Sequence, residues 1–351
     1  ETLSRYTFIA ANTVAIVHRG NDRSTSGDGN TLYVRYSTDN GASWSPEGDN
    51  IANSAGPRYP NIFLANQGGT TYTSVIWPQV DQYGDGTNSW RDIYTMKSGV
   101  GNTNVQYGKV PDPPYWSIPY NIVPDQSTGA IYSMALGLEP ANGASTGEIY
   151  LLRSADAGAT WAPVTFDTPV FTSDIVPAGY FASNIRLDIS PNGVMVLGFA
   201  LIIESEPGRA FLLDENHEVA WRVSNDKGLT GGPLQRFRPA DVQNKPAPFD
   251  AKFVMAWDFD IVLDYLDRPH FLTICSADIN AFSPFDDAPT DSTISLFSTD
   301  STFATEFTYY GDPNDINNWN IFPIGPARSV RTDRRSFTAA SEDNTAYLIR
   351  N

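Results

Sequence analysis

The sequence predicts an all-β chain built from a repeated antiparallel unit of four strands, and three observations predict it. An eight-residue pattern occurs twice, as S-T-D-N-G-A-S-W from Ser37 to Trp44 and as S-A-D-A-G-A-T-W from Ser154 to Trp161. Segments reading strand, polar turn, strand recur six times between the two ends of the chain. No long helical periodicity interrupts them, and 13% of the 351 residues are aromatic, which suits strands that must fill a core with few residues each.

Both copies of the turn fit S-x-D-x-G-x-[S/T]-W. An Asp side chain and a Gly with permissive φ make a tight turn between two strands, the hydroxyls cross-link it, and the Trp packs beneath. Ser224, Asp226, Gly228 and Thr230 keep the first four defining positions, with Gly231 in place of the Trp; Ser298-Thr299-Asp300 keeps the start, and Ser98-Gly99 marks a similar strand end. The leading serines Ser37, Ser98, Ser154, Ser224 and Ser298 lie 61, 56, 70 and 74 residues apart. A period in this range reads as a β-propeller with one four-stranded blade per repeat. The turn resembles the Asp-box, or BNR repeat, of the sialidase-like β-propellers, of the kind found in secreted bacterial proteins. That resemblance implies outer-turn staples at Ser37, Asp39, Gly41 and Trp44, at Ser154, Asp156, Gly158 and Trp161, and at Ser224, Asp226 and Gly228.

The six hairpins begin at Tyr6, Tyr59, Tyr120, Asn184, Asp260 and Ser336. Their turns carry Gly, Pro, Asn and Asp, and their second strands are largely apolar, which suits hairpins buried between neighbouring blades. Six hairpins imply six blades, with expected boundaries at 1–52, 53–112, 113–172, 173–242, 243–320 and 321–351. The sixth reaches Asn351 where its third strand should begin. An open ring would leave unpaired strand edges, so the last blade is expected to be incomplete here and completed beyond residue 351. A repeat running from end to end argues for one domain.

Composition narrows the partners. Forty acidic against 23 basic residues give a formal charge of −17, and only five residues are lysine, which disfavours nucleic acid and anionic membrane surfaces. No stretch approaches the roughly 20 apolar residues that span a bilayer. Cys275 is the only cysteine, so no intramolecular disulfide is possible. The resemblance implies a secreted or cell-surface setting.

In a propeller the inner strands converge on a central channel, and ligands bind at its mouth. Aligning the hairpins on Phe8, Ile62, Ile122, Ile185, Ile261 and Phe337 brings Arg5 and Tyr6, Arg58 and Tyr59, Tyr120, Trp257 and Asp258, and Asp333, Arg334 and Arg335 to one rim. Convergent guanidinium groups suit a carboxylate or another anion. The sialidases that this chain resembles use three arginines for the substrate carboxylate, a tyrosine nucleophile and an Asp acid/base. Carried over, R-Y-P at Arg58 to Pro60 is similar to the family's R-I-P, although it follows an Asp-box rather than preceding the first. Arg5 and Arg334 or Arg335 would complete the cluster beside Trp257, with Asp258 or Asp333 as acid/base and Tyr59 or Tyr310 near the sugar. The competing reading pairs these arginines with inner-strand carboxylates such as Asp188, Asp260 and Asp264. Arg186 alternates with Asp188, as a ladder ion pair would.

Other chemistry has less support. His18, His217 and His270 lie in different repeats without metal-ligand spacing. The segment from Asp81 to Asp92 offers oxygen ligands that Ca2+ accepts but lacks EF-hand order, and it reads, with the loops Val80 to Trp90 and Asn21 to Asn30, as solvated. No nucleophile elbow or phosphate-binding Gly loop occurs. Two readings remain open. One is a non-catalytic propeller of a larger secreted protein that binds a glycan or an extracellular protein, for which Trp77, Trp90, Tyr115, Trp116 and Trp319 are candidate contacts or equally core. The other is an exo-acting glycosidase resembling sialidases.

Overall fold

The computed structural model describes residues 8–10, 12–20, 31–46, 50–52, 57, 59–82, 88–101, 103–111, 115–116, 119, 121–125, 127–139, 141–164, 170–171, 183–202, 217–237, 254–264, 266–276, 302–309 and 319–326. Among them there is no helix. All secondary structure is strand, and the described strands form five antiparallel sheets.

Sheet one holds β1 (Phe8–Ala10), β2 (Thr13–Gly20), β3 (Thr31–Ser37) and β4 (Asn50–Ala52). Sheet two holds β5 (Asn61–Gln67), β6 (Thr70–Gln82), β7 (Asn88–Gly99) and β8 (Thr103–Lys109). Sheet three holds β9 (Tyr115–Trp116), β10 (Val123–Pro124), β11 (Ile131–Leu138), β12 (Ser145–Ser154) and β13 (Ala162–Pro163), with β9 joining β11 beside β10. Sheet four holds β14 (Ser183–Ile189), β15 (Met195–Ile202), β16 (His217–Ser224) and β17 (Gln235–Phe237). Sheet five holds β18 (Val254–Leu263), β19 (Pro269–Ser276), β20 (Thr302–Tyr309) and β21 (Trp319–Pro326). Apart from β9, each sheet takes its strands in chain order. The first five sequence hairpins are the pairs β1/β2, β5/β6, β10/β11, β14/β15 and β18/β19. The sixth, from Ser336, lies outside the described residues.

The chain divides into two compact units, Glu1–Phe181 with Asn225–Gly231, and Ala182–Ser224 with Gly232–Asn351. In the first, the two-residue period of a strand sends alternate side chains of sheet two to opposite neighbours. Ile62, Leu64, Val75 and Trp77 pack with Ala15, Val17, Leu32 and Val34 of sheet one. Phe63, Ala65, Ile76 and Ile93 pack with Ile131, Ala135 and Leu152 of sheet three. The inner strands of sheet two are therefore buried on both faces, whereas β8 at its edge is largely exposed, and β11 is buried along its whole length. In the second unit Trp221 of sheet four meets Phe271 of sheet five with ring centroids 5.0 Å apart. The Leu263 amide donates to Asp188 Oδ2 at 2.8 Å.

Two sequence expectations change. The ladder of β6 and β7 extends through Asp81 opposite Ser89 and Gln82 opposite Asn88, so most of the expected loop from Val80 to Trp90 is hairpin. Asp92, at the end of the segment expected to be solvated, is buried and pairs with Lys109 Nζ at 3.0 Å. Ser37, Ser98, Ser154 and Ser224 stand at or next to the ends of β3, β7, β12 and β16, and Ser298 lies outside the described residues.

Candidate functional site

Three turns share one construction. After β3, β12 and β16 the chain reverses through Asn40-Gly41, Ala157-Gly158 and Lys227-Gly228, with φ of 58° and 89°, 58° and 92°, and 60° and 82°. Two successive left-handed residues match the twist of an antiparallel pair. Asn accepts that geometry, whereas Ala and Lys bear a cost of about 1–2 kcal/mol. Ser37 Oγ donates to Asp39 Oδ1 at 2.7 Å and accepts from the Gly41 amide at 2.7 Å. Asp39 in turn accepts from the Ser43 amide at 2.8 Å and hydroxyl at 2.6 Å. Ser154, Asp156, Gly158 and Thr160 repeat this set at 2.7, 2.8, 2.8 and 2.6 Å. Thr230 donates from its amide and its hydroxyl to Asp226, each at 2.7 Å. Hydrogen bonds from Ser37 first, and then Ser43, bring the Asp39 pKa down from 3.8 to about 2. Burial raises that of Asp156, but Thr160, Ser154 and Lys97 outweigh it and leave it below the usual value. These carboxylates are acceptors committed to holding turns.

The aromatic that should pack beneath each turn does so once. Trp161 is 4% exposed, among Phe63, Ile76, Ile131 and Leu152. Trp44 is 36% exposed. The two identical motif positions differ because the cover over Trp161 comes from sheet two, which the motif does not encode.

At the expected rim, Tyr59 is described and half-buried, with φ of +47°. A bulky residue in the left-handed region is an outlier, and the following Pro60 restricts it further. It stands just before β5, at the end of sheet two away from the Gly68-Gly69 turn. Beside it Asn61 Nδ2 donates to the Pro119 carbonyl at 2.8 Å. Trp257 and Asp258 lie in the irregularity of β18 between Met255 and Phe259. Arg5, Arg58, Tyr310, Asp333, Arg334 and Arg335 lie outside the described residues. Of the candidate aromatics, Trp77 is core at 2% exposed, and Trp90, Tyr115, Trp116 and Trp319 lie in strands β7, β9, β9 and β21.

The carboxylates weighed as partners for those arginines have described partners of their own. Asp260 lies 3.8 Å from buried Arg186. Asp264 lies 2.6 Å from Arg268 and 3.2 Å from His270. Burial raises the Asp264 pKa, but Arg268 and His270 hold it well below the usual carboxylate range. Arg186 thus pairs with the next sheet's Asp260, and Asp188 accepts from the Leu263 amide. Among the described residues no three His, Cys, Asp or Glu side chains converge as a metal site would require.

Two polar groupings escaped the sequence reading. Tyr150 Oη donates to Glu148 Oε2 at 2.6 Å on β12, and burial together with that carboxylate pushes the phenol pKa up, which keeps it protonated. The second lines a cavity of about 380 Å³ bounded by the β10/β11 turn, strands β11 to β13 and the turn after β16, all within the first unit. Lys227 Nζ there donates to Asp125 Oδ2 at 2.8 Å and to Ser127 Oγ. Burial raises the Asp125 pKa, but Lys227, Thr128 and Ser127 hold it far below the usual range. The only sequence signal was a Lys where a left-handed turn favours Asn or Gly.

No protein-family model matches the chain, and no curated protein matches it in sequence. In structure it is similar to a protein of unknown function from Dyadobacter fermentans, with a TM-score of 0.46 and 14% identity, covering 90% of this chain and 80% of that one. It is also similar to a mutant of the NanB sialidase from Streptococcus pneumoniae, with a TM-score of 0.45 and 12% identity, covering 91% of this chain and 60% of that one. A third likeness is to an α-L-arabinofuranosidase from Lactobacillus brevis, with a TM-score of 0.41 and 12% identity, covering 90% and 92%.

Proposed function

We propose that the chain is a six-bladed Asp-box β-propeller of a secreted or surface protein. In this reading it binds a glycan or an extracellular protein at the rim opposite its Asp-box turns. The architecture is supported by five antiparallel sheets that follow the chain, and by one turn chemistry in the same place after the third strand of sheet one, the corresponding β12 of sheet three and the third strand of sheet four.

The observation that carries the site is the left-handed Tyr59 between Arg58 and Pro60. Strained backbone persists where surrounding structure fixes it, and it concentrates at ligand clamps and active sites. Here it would present the Arg58 guanidinium and the Tyr59 ring together at the head of an inner strand. Arg5, Arg334 or Arg335 would supply further donors for an acidic sugar.

The test is retention of the purified chain on an array of acidic and neutral glycans, together with turnover of a fluorogenic sialoside. Retention on acidic glycans that Arg58→Ala abolishes without lowering the melting temperature supports the rim. Turnover abolished by the same substitution makes the rim catalytic and replaces binding with an exo-glycosidase. A folded protein that neither retains glycans nor turns over the sialoside overturns the glycan reading.

A further inference from the structure

The cavity beside Lys227 belongs to the turn end of sheet three, not to the rim, and its polar groups are unequally committed. The Asp125 carboxylate is buried and already accepts from the Ser127 amide at 3.0 Å, the Ser127 hydroxyl at 2.7 Å, the Thr128 hydroxyl at 2.5 Å and Lys227 at 2.8 Å. Asp226 accepts both donors of Thr230. The acceptors in the wall are thus largely saturated by protein donors.

The donors are not. Arg153 on β12 lies opposite Tyr132 of β11 and Ala162 of β13. Its Nε donates to Tyr132 Oη at 3.3 Å, and its guanidinium carbon lies 6.0 Å from the centre of the tyrosine ring. Arg153 is exposed, and among the described residues its two terminal nitrogens donate to nothing. Lys227 occupies the left-handed position that Asn40 and Ala157 hold in the other two turns, an unfavourable choice for a long side chain, and it places its ammonium at the same cavity. Pro163, Val164 and a 60% exposed Leu229 supply apolar wall. A cavity of about 380 Å³ falls within the roughly 300–1,000 Å³ of small-molecule sites.

We propose that this cavity binds an acidic saccharide, its carboxylate or sulfate held by the free fork of Arg153 beside the Lys227 ammonium, and its ring lying against Leu229 and Pro163. A guanidinium fork matches an oxyanion with two parallel bonds, and apolar side chains accept the C–H face of a pyranose. The site is separate from the rim and stands or falls independently of it.

The experiment is calorimetric titration of the full chain with glucuronate, glucose 6-sulfate, glucose and inorganic sulfate, repeated on Arg153→Gln, Lys227→Asn and Arg58→Ala. Binding of glucuronate or the sulfated sugar, with no heat from glucose, is expected; which of the two binds more tightly identifies the oxyanion. Arg153→Gln should weaken it by about tenfold or more, the scale of a lost charge-assisted pair. Lys227→Asn relieves the left-handed turn but also removes the partner of the buried Asp125 carboxylate, so it should weaken binding and lower the melting temperature. The component of binding that Arg153→Gln removes should persist in Arg58→Ala. Equal affinity in the wild type and Arg153→Gln, binding of inorganic sulfate without either acidic sugar, or no binding by the folded wild type would each overturn the proposal. Loss in Arg58→Ala alone would assign the ligand to the rim instead.

Discussion

Gly158 faces Ser74 across the boundary between sheets three and two, so closely that a Cβ on Gly158 would stand 2.8 Å from Ser74 Oγ and 2.9 Å from Ser74 Cβ. Ser74 Oγ donates to the carbonyl of Ala157, the residue just before that glycine. The turn after β12 is therefore also the piece that docks sheet three onto sheet two. Gly108 makes a second close approach, with its absent Cβ 2.7 Å from the Ala159 carbonyl.

Gly158→Ala is expected to be costly on two counts. The left-handed φ of 92° costs an L-residue about 1–2 kcal/mol, and the overlap with Ser74 adds about 1–3 kcal/mol of overpacking. Gly41 has the same conformation but only Trp44 Cζ2, 3.9 Å away, so Gly41→Ala should show the first cost alone. Denaturant midpoints of the two variants decide this; equal losses would mean that the Ser74 contact carries no energy.

Ser74→Ala removes the buried hydroxyl from the Ala157 carbonyl. A net loss of about 1 kcal/mol is expected. In combination with Gly158→Ala the losses should be less than additive, because the same substitution also removes the oxygen nearest the new methyl. A double-mutant cycle measures the coupling.

Acid should loosen the turns. The Asp39 pKa is lowered on folding, from 3.8 to about 2, so its contribution is fully present above 3.8 and is lost as pH falls through about 2. Asp125, Asp156 and Asp264 are lowered too and act in the same direction. Melting temperature should fall as pH drops below 3.8, and Asp39→Asn, which has no carboxylate to protonate, should show a shallower fall. Parallel curves for the variant and wild type would refute a role for Asp39 in the acid limb.

Trp161→Ala should cost about 3–5 kcal/mol, as truncation of a buried aromatic does, whereas the 36% exposed Trp44 should tolerate alanine far better. Thermal unfolding of the two variants compares them directly. Equal losses would show that the two turns are packed alike in solution.

What could be read from the sequence was what local chemistry fixes. The S-x-D-x-G turns were legible because each closes through bonds among seven neighbouring residues, and the pattern of Ser, Asp, Gly and Ser or Thr is that bond set written out. The first five hairpins were legible for a similar reason, since a polar turn and an apolar second strand lie within one short window.

The sequence by itself thus determined the first five inner hairpins, their antiparallel pairing and the S-x-D-x-G turns. Only tertiary structure decided which motif tryptophan is buried, that Arg186 meets Asp260 on the next sheet, and that Lys227 reaches Asp125 from 102 residues away. Burial and ion pairing depend on which surfaces come into contact once the sheets pack, and packing joins side chains whose separation along the chain carries no trace of it. The left-handed conformation of Tyr59 belongs to the same class, for nothing in R-Y-P demands it, and the surrounding fold must hold it there.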